Sequence, residues 1–176
     1  MKLFIICLLF PFLSFSQTSN HKVFGVDLNK SWIELTNYQK LTHYLADNEA
    51  KKNNIPYVMT DIEFYRKNID ADFLELGFDE ILVGFPRGEQ SNLKQLTPQV
   101  LIARFNFTDT STYKKNHLYK VNKTFKYLQN YFGEADLNQV KESYLLYNWN
   151  RLTYEVYLTS RLEDLSIILM YVIKNK

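Results

Sequence analysis

Asn150 and Arg151 are all that separate Trp149 from Leu152. The runs on either side, Ser143 to Trp149 and Leu152 to Thr159, are rich in aromatic and β-branched residues and read as strands. A link that short closes a hairpin and leaves no space for a crossover helix, so the two strands must run antiparallel. A third β-rich run, Leu165 to Ile173, follows after another short link. Ahead of them, Leu118, Val121, Phe125, Leu128 and Phe132 recur at spacings of 3, 4, 3 and 4. That is one apolar stripe on an α-helix. Asp109 to Tyr113 is the turn into it, and Gly133 stands where a left-handed residue ends such a helix. From His117 to Ile173 the chain therefore reads as a helix followed by antiparallel strands.

The first half suggests the same order. Val23 to Leu28 fits a short strand, and Ser31 to Leu35 leads into a helix. Thr36 with Gln39 fits a capping box, and Tyr38, Leu41, Tyr44 and Leu45 make the stripe of a first helix. That helix is expected to fade by Lys52 and close before Pro56. Tyr57 to Arg66 alternates, with Val58, Ile62 and Phe64 facing one way and Asp61, Glu63 and Tyr65 the other. Asp70 to Gly77 reads either as one capped helical turn or as a strand over Phe73 to Leu76. Glu80 to Phe85 and Val100 to Phe107 are strands, with Pro86 to Pro98 an exposed polar loop between them. In the latter strand Leu101, Ala103, Phe105 and Phe107 share a face opposite Val100, Ile102 and Arg104. The expected class is α+β: an antiparallel sheet of about six to seven strands with two main helices on one face. Element order outlines a tandem of α-then-β units, although the two halves do not align in sequence.

Met1-Lys2 is a short positive head, and Leu3 to Phe15 is an apolar run interrupted by Pro11. Ser14 and Ser16 place small residues just before Gln17. This is the pattern of a secretory signal peptide over residues 1–16, leaving 17–176 as a single domain, periplasmic or secreted. The one cysteine, Cys7, lies inside that segment without the small residues that precede a lipid-modified cysteine, so no stable membrane anchor is expected. The exported chain would then hold no thiol, which rules out disulfides, thiol nucleophiles and cysteine-ligated metals. The formal charge of +2 becomes +1 without Lys2, too little for bulk attraction to nucleic acid. Lys outnumbers Arg 16 to 5 and Asn is abundant, the bias of an AT-rich bacterial genome.

Tyr131-Phe132-Gly133-Glu134-Ala135, then Tyr147-Asn148-Trp149, resembles a pattern in many small exported bacterial proteins of unknown function: a helix, Tyr-Gly-x-Pro, then Tyr-x-Trp. Here Phe132 precedes the glycine and Ala135 stands where proline is usual. The order of elements is similar in outline to β-lactamase-inhibitor-protein-like modules. The motif covers about the last sixty residues and the outline the rest. The resemblance implies a binding or inhibitory role and carries over no catalytic residue.

No cofactor and no metal are expected. His21, His43 and His117 form no HExxH, HxH or i, i+4 pair, and each is expected at the surface. No Gly-x-Ser-x-Gly elbow is present. Asp61, Glu63, Asp70, Asp72, Glu75, Asp79 and Glu80 crowd one region and read as acids on a solvated rim. A carboxylate pair among them would make the chain an envelope hydrolase, the alternative function. Lys114, Lys115, Lys120, Lys123 and Lys126, with no acid between them, read as the solvated face of the second helix. Four residues are candidates for partner contact. Arg87 sits in the Pro86 to Pro98 loop; Tyr147, Trp149 and Tyr157 sit in the aromatic hairpin. Turned outward together, the three rings make a recognition platform; turned inward, Trp149 plugs the core under the helix, while Tyr157 is expected to stay exposed. The expected function is an exported, non-enzymatic binding or inhibitor-like module that recognises a protein or envelope component.

Overall fold

A computed structural model of the chain describes residues 22–37, 42–45, 62–67, 75–86, 95–141 and 144–174. A small hairpin opens it: β1 (Lys22–Val23) and β2 (Val26–Asp27) turn through Phe24 and Gly25, both with positive φ. Positive φ at both central residues matches the twist of a tight hairpin. Phe24 accepts the strain and buries its ring edge-on to Tyr171. Next come α1 (Trp32–Asn37) and four strands: β3 (Thr42–Leu45), β4 (Ile62–Lys67), β5 (Glu80–Pro86) and β6 (Val100–Asn106). The long helix α2 (Thr110–Phe132) precedes four more: β7 (Leu137–Lys141), β8 (Tyr144–Asn150), β9 (Tyr154–Arg161) and β10 (Ser166–Ile173).

The fold is α+β, and its main sheet is antiparallel throughout. Among the described residues it has eight strands in the order β3-β4-β5-β6-β10-β9-β8-β7. Each half is thus a helix followed by a four-strand meander, and the halves meet where β6 pairs with β10. Two elements differ from expectation. Residues 42–45, expected inside the first helix, pair with β4 as a strand. The helical start signal lies upstream instead: Glu34 accepts from the Ser31 amide at 2.7 Å and from its hydroxyl at 2.8 Å, a capping box that starts α1. Only α2 is long among the described residues, and the rest of the expected first helix lies outside them. The second difference is β7, an additional strand that carries no buried residue.

α2 begins at Asp109, whose extended backbone (φ −160°) lets its carboxylate accept from the Thr112 amide at 2.8 Å. It ends at Gly133, with φ 78° and ψ −159°, a conformation that side chains exclude. The Trp149 indole donates to the Gly133 carbonyl at 2.8 Å. Arg151 donates to the carbonyls of Phe132 at 2.7 Å and Glu134 at 2.9 Å, and to Asp136 at 2.6 Å. These bonds tie the helix end to β8 and its turn.

α2, α1 and the small hairpin cover one face of the sheet. Val121 and Leu128 of α2 and Leu35 of α1 join one core with Ile81, Val83, Leu101, Val156, Leu158 and Leu169. The other face of the central strands is buried too, around Ile62, Phe64, Leu82, Ile102, Ile168 and Met170. β5 and β6 therefore read as continuous apolar runs, as strands buried on both sides do. A Cβ on Gly84 would lie 2.7 Å from the Phe64 ring and 2.8 Å from Ile62, so this second cluster closes only around a glycine. Full burial of each large side chain contributes roughly 1.5–3 kcal/mol.

Candidate functional site

The aromatic hairpin divides between the two faces. Tyr147 and Trp149 point toward α2 and enter the core, Trp149 with 0% of its surface exposed, and Phe125 lies over both rings. Tyr157 points the other way, half-buried, and its phenol donates to Glu155. The three rings therefore share no platform, and Tyr147 and Trp149 act as core. The register explains this: Trp149 pairs with Val156 and Tyr147 with Leu158, so those four share a face while Tyr157 falls between them. Leu152, expected to open the second strand of the hairpin, is 92% exposed at the turn, because β9 starts at Tyr154. Arg87 lies outside the described residues.

Of the clustered acids within the described residues, Glu63, Asp79 and Glu80 are engaged structurally, Glu63 by the Tyr65 phenol. Glu80 bridges Arg66 at 2.8 Å and Arg104 at 3.4 Å. Asp79 accepts from the Asn106 amide at 2.8 Å. Asp61, Asp70 and Asp72 lie outside the described residues. No group of three metal-ligating side chains occurs among the described residues.

A concavity adjoins α2. The buried stripe of this helix is Tyr113, His117, Val121, Thr124 and Leu128, which begins one turn earlier than the apolar residues alone indicate. His117, expected at the surface, is buried: its ring stacks on Tyr113 at 4.3 Å, and Nδ1 lies 2.8 Å from the Tyr113 carbonyl. A carbonyl only accepts, so Nδ1 donates this bond. The Tyr113 phenol meets the Ser160 hydroxyl at 2.8 Å. Burial raises its pKa, with the Ser160 bond opposing and the Asp164 charge adding. Ser160 thus bonds the phenol and not the imidazole.

That phase turns Leu118 out of the core. It is 51% exposed and faces β7 across a groove of about 690 Å³. Val140 of β7, 61% exposed, and Leu162 of the β9–β10 turn form the other apolar walls. Tyr113 and His117 line the groove on the helix side, and Lys114 and Lys141 stand at its lips. Neither lysine's ammonium makes an ion pair or hydrogen bond among the described residues. The lysines of α2 are not alike: Lys114, Lys115, Lys123 and Lys126 are exposed, whereas Lys120 is half-buried. Its Nζ lies 2.9 Å from the Phe105 ring centroid and donates to the Gly77 carbonyl at 2.7 Å. Burial brings its pKa down to about 8, against the pull of Asp79.

The groove leaves little trace in the sequence. Its lining combines a leucine that is exposed although its spacing fits the apolar stripe, a strand without periodicity, and a buried histidine. The one available signal was the lysine run beside Leu118. Comparison of the chain with protein families, curated proteins and solved structures finds no match.

Proposed function

We propose that this chain is an exported, non-enzymatic recognition module of the bacterial envelope, which grips a protein or envelope component in the groove between α2 and β7. One observation carries the reading. Leu118 and Val140 remain uncovered at a rim where Lys114 and Lys141 have no described counter-charge. Uncovered apolar side chains gain by being dried, and flanking charges orient the partner that dries them. A hydrolase built on a carboxylate pair would need two acids facing one cleft, and the lining of this groove contains none. Export rests on the N-terminal pattern of residues 1–16, and the inhibitor-like reading on the outline of helix-then-strand units.

The test is capture of a partner from an envelope extract by the secreted chain and by a Leu118→Asp/Val140→Asp variant. Both side chains lie in water, so the variant is expected to melt at nearly the same temperature as the parent. It is expected to lose the captured partner. Equal capture by the two chains would sink the reading.

A further inference from the structure

We propose that the occupant of the groove is an extended acidic peptide segment, which adds a further strand along β7 and sets its carboxylates on Lys114 and Lys141. The proposal deepens the recognition reading and rests on it. Among the described residues β7 ends the sheet, with β8 on one side and no strand on the other. All five of its residues are exposed, including Leu137 at 39% and Val140 at 61%. A bare edge offers backbone donors and acceptors in register for one more strand. Edges that are guarded carry proline, a bulge or an inward charge; β7 has no proline, and its only charge is Lys141, at its end.

The groove beside this edge gives such a strand a place for alternate side chains. A residue facing α2 would cover Val140 and Leu118. Charge selects the partner. From Thr110 to Phe132 α2 carries five lysines and no acid, and Lys141 adds one more cation at the opposite lip. Of the nearby acids, Asp136 is held by Arg151, Glu163 lies 3.6 Å from Arg161, and Asp164 is the one whose charge reaches the Tyr113 phenol. A second copy of this chain paired edge to edge would bring two cationic rims together, so an acidic strand fits better than self-association.

Titration of the secreted chain at low ionic strength with a synthetic peptide of alternating Glu and Val tests this. Three controls accompany it: the same peptide with Lys for Glu, a pair of analogues N-methylated on alternate amides, and laurate. The Glu peptide is expected to bind and the Lys peptide not. One methylated analogue is expected to lose binding and the other to keep it, because a strand pairs through every second amide. Amide exchange in β7 is expected to slow on binding, and Lys114→Glu with Lys141→Glu to weaken it by about tenfold. Binding indifferent to N-methylation would overturn strand addition. Laurate binding without peptide binding would overturn the peptide while leaving the groove a recognition site. Should neither bind while capture from extract still depends on Leu118 and Val140, the peptide inference falls and the recognition reading stands. Should capture be independent of them as well, both fall. Dimerisation through β7 would also overturn the inference.

Discussion

Lys120 shows how far a residue's neighbours depart from what its type suggests. In the sequence it is one lysine in a run of five; in the structure its ammonium sits between the Phe105 ring and the Gly77 carbonyl. A Cβ on Gly77 would come within 2.8 Å of that ammonium, so the turn is built around it. Its folded pKa of about 8 lies below the ordinary 10.5. Between those values the unfolded chain binds more protons than the folded one, so this group makes stability rise with pH across that window. Tyr171, pushed up to about 12 by burial, acts oppositely as the unfolded phenol ionises around pH 10. The expected outcome is a urea midpoint that climbs between pH 7.5 and about pH 9.5, and a Lys120→Met variant in which this climb is reduced. Parallel profiles for the two proteins would refute the assignment. Nothing in the lysine spacing separates Lys120 from its neighbours, because burial there comes from the turn at Gly77, over forty residues away in sequence. Trp149 was more legible: alternation along the hairpin left two orientations open, and pairing with Val156 decides between them.

Among the elements, α2 starts at Thr110, inside the stretch expected as the turn into it, and its stripe lies one residue out of phase with the apolar spacing. Its true stripe includes His117 and Thr124, polar residues that an apolar count skips. Leu118 was counted in their place, and that substitution hid the groove. The helix end was legible because Gly133 has few other uses, but its anchoring was not. Arg151 spans from the Phe132 and Glu134 carbonyls to Asp136, and those partners lie up to 19 residues away. Arg151→Leu leaves these carbonyls without a charged donor and is expected to cost about 2 kcal/mol in urea unfolding. A loss under about 0.5 kcal/mol would mean water replaces the guanidinium without penalty. β3 and β7 failed for different reasons. The Tyr38, Leu41, Tyr44 and Leu45 spacing imitates a helix, and pairing with β4 overrides it. β7 buries nothing, so it leaves no period to detect.

At the scale of the molecule, the antiparallel α+β class followed from link lengths alone, since hairpin-sized connections exclude the parallel alternative. The order of the eight strands did not, because the pairing of β6 with β10 joins residues 60 to 72 positions apart. No helix among the described residues is long and apolar enough to cross a membrane. The last strand lies at the centre of the sheet, between β6 and β9. Deleting the chain after Leu165 is therefore expected to leave a polypeptide without a cooperative melting transition, whereas trimming an edge strand would spare the centre. A cooperative transition in the deletion would show that β6 and β9 can do without β10.

That placement has a consequence for how the chain is made. A polypeptide whose middle strand is synthesised last cannot complete its sheet while it is still emerging. Until β10 has been made, β6 and β9 each keep an unpaired edge in the middle of the sheet.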